Sequence, residues 1–223
     1  MESLIYGLER TVPDALAAAY ENPRPELQAR VPRDARRILD LGCASGALGA
    51  ALKARQDCHV LGVERDPDYA ARAQERLDQV LVADLEALDF SQLARVDCVV
   101  CGDVLEHLID PWRVLSDAAA LLPPGGTVVV SLPNVRYWET FWQLGAKGTW
   151  PQRALGIFDR THLRWFALRD AYDLLDASGC EVMAVDRLYR RGPERPPLRG
   201  ALLDRLPGRT LLTFQHVLVG RRR

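Results

Sequence analysis

The chain lacks most of what would place it in a membrane, a disulfide-stapled secreted fold or a nucleic-acid complex. No apolar run approaches the roughly 18 residues needed to cross a bilayer, and the start Met1-Glu2 lacks the basic and apolar regions of a secretory leader. Five cysteines, an odd number, argue against a disulfide framework. With a net charge of −1 and a pI near 6.4, no excess of one sign draws the protein to nucleic acid or an anionic surface. The basic end Arg221-Arg222-Arg223 is a local exception and reads as a solubilising terminus. Fixed-period repeats and low-complexity tracts are missing too. The expectation is one cytoplasmic globular domain, for which 223 residues with 48% hydrophobic content supply a sizeable core.

Two nucleotide signatures are also missing. From Gly42, Ala44 and Ala47 stand where the dinucleotide fingerprint G-x-G-x-x-G needs its second and third glycines, and Ala47 follows Gly46 where a P-loop needs lysine. What is present is the run Ile38-Leu39-Asp40-Leu41-Gly42-Cys43-Ala44-Ser45-Gly46, an apolar segment that ends near an acid and breaks into small residues before a helical pattern begins. That pattern is a strand, a tight turn and the start of a helix. Glycines remove side chains where the backbone bends and a ligand approaches, and the helix start presents unpaired N–H groups.

Strand and helix patterns then alternate. Strands are expected at about 36–41, 58–63, 80–82, 96–101 and 127–132, with helices at about 46–55, 67–77 and 111–122. Such alternation implies right-handed crossovers and a parallel sheet with helices on both faces. Cys98 and Cys101 form a C-x-x-C on one of these strands, where residues three apart face opposite sides, so both read as packing residues. Glu64 falls just past the second strand, about twenty residues after the glycine turn, where doubly wound sheets place an acid on ribose hydroxyls. The fourth strand delivers Gly102-Asp103-Val104-Leu105-Glu106-His107, a polar cluster at the ligand-binding edge of a parallel sheet. His107 is a candidate for a catalytic or a metal-ligating role, whereas His59 and His216 lie inside strand patterns and read as structural.

The segment from Pro133 to Trp165 interrupts the rhythm. It carries Tyr137, Trp138, Phe141, Trp142, Trp150, Phe158 and Trp165, nearly half of the 16 aromatics, too many for a solvated loop. A substrate cap over about 133–166 or a homodimer surface is expected. A helix at 167–178 closed by Gly179, a strand at 180–188 and a last strand at 211–220 follow. The intervening stretch 190–209 is rich in proline and arginine, with a short helix expected near 198–206. Before the glycine turn, Pro13, Pro23 and Pro25 divide the segment 12–30 into two short helices, a flank or lid over residues 1–35 ahead of the main domain 36–223. Tyr20 and Arg24 on that flank are candidates to touch the substrate.

The Asp40–Gly46 segment resembles the first motif of the class I S-adenosylmethionine-dependent methyltransferases, commonly D-x-G-C-G-x-G, with Ala44 in place of the middle glycine. The Leu105-Glu106-His107 segment is similar to that of methyltransferases of quinone precursors and sugars. Asp159-Arg160-Thr161-His162-Leu163-Arg164-Trp165-Phe166 resembles the D-R-T-H-L-R-F-F segment of bacterial small-molecule and glycan-biosynthesis methyltransferases. The resemblance implies a doubly wound, mostly parallel seven-stranded Rossmann-like sheet with a reversed last strand. It implies S-adenosyl-L-methionine as cofactor and S-adenosyl-L-homocysteine as product. The cofactor is expected against Asp40, Gly42, Cys43, Gly46, Glu64, Arg65, Asp84, Leu85, Asp103 and Val104. Expected activity is O-methylation of a small molecule such as a sugar or quinol, with His107 and His162 as candidate bases. Tyr137, Trp138 and Arg160 join Tyr20 and Arg24 as candidate substrate contacts. A second mechanism stays open. Asp103, Glu106, His107 and His162 form a two-carboxylate, two-histidine set for a divalent cation, similar to that of small-RNA 2′-O-methyltransferases. So does a non-catalytic cofactor-binding module.

Overall fold

The computed structural model describes residues 17–190 and 205–223. Of the helices expected within 12–30 and near 198–206, residues 12–16 and 198–204 therefore lie outside the described residues.

Seven strands form one sheet in the order β3-β2-β1-β4-β5-β7-β6. They are β1 (Arg37–Leu41), β2 (His59–Glu64), β3 (Gln79–Val82), β4 (Cys98–Gly102), β5 (Thr127–Pro133), β6 (Cys180–Tyr189) and β7 (Thr213–Arg222). The first five are parallel, and β7 runs antiparallel to both β5 and β6. The helices are α1 (Pro25–Gln28), α2 (Ala47–Arg55), α3 (Pro67–Gln74), α4 (Pro111–Ala119), α5 (Trp138–Phe141), α6 (Leu168–Ala177) and α7 (Arg209–Leu212). This is the doubly wound sheet with a reversed last strand that the resemblance implies.

Strand alternation sorts the core onto two faces. Leu39, Leu41, Val63, Val99, Cys101 and Leu174 belong to one buried cluster, and Ile38, Val60, Cys98, Val100 and Val217 to the other. Each fully buried branched side chain contributes about 1.5–3 kcal/mol of transfer free energy. Cys98 and Cys101 lie in different clusters, the opposed placement expected of residues three apart on a strand. Proline and acid mark two helix starts. Asp66 Oδ1 accepts from the N–H groups of Asp68 and Tyr69 ahead of Pro67, and Asp110 Oδ1 accepts from Arg113 N ahead of Pro111.

The last strand departs from expectation. It begins at Thr213 rather than 211, because Gly208 at φ +79° allows the helical turn α7, whose end Thr213 closes by donating Oγ1–H to the Arg209 carbonyl at 2.9 Å. The aromatic insert is folded around a core of its own. Tyr137, Ile157 and Phe158 form a small buried cluster, with Trp150 and Phe214 packed on it. Asn134, fully buried at the exit of β5, donates Nδ2–H to the carbonyls of Thr210 and Thr213 at 2.8 and 2.7 Å and so pins the cap's entrance to β7.

Candidate active site

The order of strands reverses between β1 and β4, so the crevice for a ligand opens at the carboxyl ends of those strands. The turn after β1 lies there with three residues in the left-handed region: Gly42 at φ +69°, Ala44 at +46° and Gly46 at +78°. A Cβ on Gly42 would lie 2.7 Å from Val104 Cγ2, so the glycine lets the β4 loop close against the turn. Gly46 has a different task. A Cβ there would meet Ala73 and Leu77 within about 3.2 Å, so it permits α2 to pack on α3.

Glu64 ends β2 and is bound to the same turn. Its Oε2 accepts from Ala44 N at 2.9 Å and its Oε1 from Asp66 N at 2.8 Å. Each oxygen retains a lone pair, which suits it to accept from two neighbouring hydroxyls. Asp40 is 3% exposed, and its Oδ2 has no partner among the described residues. Burial pushes its carboxyl up to about 7, against the opposing pull of Arg24.

Arg24 and Asp103 carry two further positive φ angles, +52° and +55°, and they pair with each other, Arg24 Nη2 lying 3.0 Å from Asp103 Oδ2. The other oxygen of Asp103 accepts from Ser131 Oγ at 2.6 Å and from Gln215 Nε2. All three non-glycine residues with positive φ among the described residues thus border one crevice, where strained backbone tends to gather at functional sites. The flank is held over this crevice by Ser45 Oγ donating to the Tyr20 carbonyl at 2.7 Å and by Arg76 paired with Glu21.

Beyond Asp103 the β4 loop meets the cap. Leu163 N and Arg164 N both donate to the Glu106 carbonyl, at 2.9 and 3.0 Å, which brings the Asp159–Trp165 segment to Glu106 and His107. The His107 and His162 rings meet edge to face with centroids 4.7 Å apart, and His162 Nε2 is 4.0 Å from Glu106 Oε1. Glu106 is 1% exposed, and neither of its carboxyl oxygens has a hydrogen-bond partner among the described residues. Burial raises its carboxyl well above the usual range, and Asp103 adds to the rise. Burial also lowers the His162 imidazole, reinforced by His107. One donor atom from each of Glu106, His107 and His162 lies within 4.8 Å of the others. Asp103 is absent from that group, which corrects the expected four-residue cation set: its oxygens are taken up by Arg24, Ser131 and Gln215.

The sequence profile of a family described as "Methyltransferase domain" matches residues 9–185. The chain belongs to this family. Among its relatives, a ubiquinone biosynthesis O-methyltransferase of Paracidovorax citrulli is 32% identical over 174 residues, 75% of this chain and 70% of that protein. One of Xylella fastidiosa is 36% identical over 114 residues, 48% of this chain and 46% of that one. A trans-aconitate 2-methyltransferase of Methylobacterium radiotolerans is 34% identical over 114 residues, 50% of this chain and 44% of that one. The chain thus spans under half the length of the last two. In fold it is similar to magnesium protoporphyrin IX methyltransferase of Synechocystis with bound S-adenosylhomocysteine, at a TM-score of 0.61 and 16% identity over 98% of this chain and 84% of that one. It is similar also to an S-adenosylmethionine-dependent methyltransferase of Mesorhizobium loti, at a TM-score of 0.63 and 21% identity over 93% and 100% of the two chains.

The cofactor of this methyltransferase family is S-adenosylmethionine, and the crevice fits it. Apart from Cys43, the turn bears no side chain larger than Ser45, Asp40 holds a buried oxygen without a hydrogen-bond partner among the described residues, and Glu64 ends the neighbouring strand. Cys43 offers only its backbone, since its sulfur packs beneath Gly62, and burial pushes its thiol up. Leu85 is buried in the core beside β3, while Asp84 is exposed and accepts from Glu86 N, and Arg65 is exposed. Of the substrate candidates, Tyr137 is buried in the cap's own cluster, Trp138 and Arg160 are exposed on the cap, and Tyr20 lies at the rim 4.5 Å from the Tyr69 ring. Ser131 and Gln215 were missed by sequence reading. They sit mid-strand on β5 and β7, and only strand register puts them beside Asp103. An open depression of about 570 Å³, lined by Arg37, Asp97, Pro123 and Arg222, lies at the opposite edge of the sheet, away from these groups.

Proposed function

We propose that this chain transfers the methyl group of S-adenosylmethionine to a hydroxyl oxygen of a small molecule, with His107 as the group that takes the hydroxyl proton. The observation that carries this reading is the meeting of His107, His162 and buried Glu106 at the end of β4, next to the turn suited to the donor. When bound, the cofactor supplies a methyl group already activated by a positively charged sulfur. The chain's own work is therefore orientation and proton removal. Glu64 and the glycine turn hold the nucleoside part, Arg24 is paired with Asp103 and Glu26 at the crevice wall, and the cap covers the acceptor. Holding two reactants in line is worth up to about 7–11 kcal/mol in favourable cases, and a positioned base adds about 10²–10⁴-fold. Relatives named for O-methylation in ubiquinone biosynthesis support oxygen as the acceptor atom and a quinol as one candidate substrate.

Calorimetry with S-adenosylmethionine and turnover across quinols, sugars and carboxylates test the reading. Glu64→Ala is expected to weaken cofactor binding by about 1.5–3 kcal/mol, as for charge-assisted hydrogen bonds. Unchanged affinity removes the ribose assignment. Binding without turnover on any acceptor leaves a cofactor-binding module.

One observation favours a second reading. A fully buried carboxyl group with no hydrogen-bond partner among the described residues, beside two imidazoles, is a donor set for a divalent cation. Such a cation acidifies a hydroxyl directly. Turnover lost to a chelator and restored by Mn²⁺ or Mg²⁺ selects this reading, and turnover indifferent to chelation selects the imidazole.

A further inference from the structure

We infer that Thr161 and Asp159 are positioning residues for His107, fixing the tautomer that carries its proton on Nδ1 and leaves the lone pair on Nε2. The inference rests on the reading above only where it concerns turnover, and the tautomer itself follows from the hydrogen-bond geometry. Thr161 Oγ1 lies 2.7 Å from Asp159 Oδ1, and an ionised carboxylate only accepts, so the hydroxyl proton points to Asp159. The same oxygen accepts from Thr161 N at 2.8 Å, which fixes the loop as an Asx turn. With its proton spent, Thr161 Oγ1 presents a lone pair to His107 Nδ1 at 3.0 Å. The Thr161 carbonyl, which can only accept, lies 3.2 Å from the same nitrogen.

A ring nitrogen held between two acceptors must be the N–H. In the other tautomer the Nδ1 lone pair would face the carbonyl oxygen, and the hydroxyl would have to abandon Asp159 to satisfy it. His162 is held in the same sense, with Nδ1 3.3 Å from the Ile157 carbonyl. One short stretch of the cap therefore sets the proton placement of both imidazoles, although His107 belongs to the β4 loop and lies 54 positions earlier. For a base this matters in two ways. The neutral ring keeps Nε2 free to receive a proton, and the protonated ring retains its bond to Thr161 with the Asp159 charge one hydroxyl away. A tautomer fixed from behind by an outer hydrogen bond is the usual way a histidine's working nitrogen is chosen.

The test is long-range ¹H–¹⁵N spectroscopy of the imidazole nitrogens at about pH 8, above the ordinary imidazole range, on the full chain with S-adenosylhomocysteine and no acceptor. The parent protein should show His107 as a single Nδ1–H tautomer. Thr161→Val, at an exposed position, removes the hydroxyl without touching the core, leaves the carbonyl at 3.2 Å as the remaining acceptor, and should raise the Nε2–H tautomer from none to a measurable fraction. Thr161→Ser should restore the parent pattern, and unchanged cofactor affinity of both variants shows the fold intact. An Nε2–H tautomer in the parent, or a Thr161→Val spectrum identical to it, overturns the inference. With an accepted acceptor, Thr161→Val should also lower kcat by about tenfold or more while the KM for the donor stays the same. A changed tautomer with unchanged kcat upholds the positioning and removes His107 as the base, so the two readings fail separately.

Discussion

Asp40 sits at the end of β1 with its carboxyl pushed up to about 7 by burial, so near neutral pH it is held between its neutral and charged forms. A cation brought beside it favours the charged form. The cofactor's sulfonium and ammonium are cations, so binding should lower that pKa and release up to about one proton. The sign follows directly. Below about pH 7 the free protein holds the proton and the complex gives it up, whereas well above that range both states are ionised and release fades. Titration calorimetry in two buffers of different ionisation heat near pH 6.5 should give different apparent enthalpies, and Asp40→Asn should make them equal. Equal heats in the parent would show that Asp40 is not next to the donor's positive charge. At this scale the acids at strand ends were legible in the sequence, because a strand's apolar run announces where it stops. The network of Arg24, Asp103, Ser131 and Gln215 was not. Its members come from four separate segments, and only the register of β5 with β7 and the folding back of the flank unite them.

The turn from β1 to α2 carries a strain that one atom group explains. Ala44 adopts φ +46°, a region that crowds its Cβ and costs a residue with a side chain about 1–2 kcal/mol relative to glycine. Glycine loses about 0.5–1 kcal/mol more backbone entropy on folding, so Ala44→Gly should stabilise by about 0.5–1 kcal/mol net. For a chain of this size that raises Tm by about 1–4 °C in thermal unfolding. The Ala44 N–H donates to Glu64 whichever residue is present, so cofactor affinity should hold. A lowered Tm would mean that the methyl group makes contacts worth more than the strain. The five parallel strands were readable because their apolar runs are short, β-branched and punctuated. The π-helical turn Trp142–Ala146 that continues α5 was not, since nothing in the residue order separates it from an ordinary helix end. The start of β7 was also misplaced, because Leu211 and Leu212 are apolar residues on a helical turn rather than strand residues, and both are exposed.

Phe214 at the start of β7 joins the aromatic insert to the sheet. It packs both on the cluster around Leu188 and Val217 beneath the sheet and on the cap's cluster of Tyr137, Ile157 and Phe158. Its carbonyl accepts from Asn134 N at 2.8 Å, where the chain leaves the sheet for the cap. The donor turn, in contrast, follows β1 and is bonded to β2 through Glu64. Sequence alone read the insert as a substrate cap or a dimer surface from its aromatic content and could not show this seam, because Phe214 lies about fifty residues past the segment it packs on. Phe214→Ala should therefore loosen the cap and spare the cofactor site. In hydrogen exchange, the amides of Tyr137, Arg153 and Leu163, which are bonded within the cap or from the cap to the β4 loop, should exchange faster. Those of β1, β2 and β4 should keep their protection. S-adenosylhomocysteine at about a hundred times its Kd should still stabilise parent and variant alike by about 2.7 kcal/mol, a rise in Tm of about 5–10 °C. If the cap amides keep their parental protection in Phe214→Ala, the cap is held by its own core and the remaining polar ties. If the ligand-induced shift collapses instead, cap and cofactor site form one cooperative unit, and closing the cap becomes part of binding the donor.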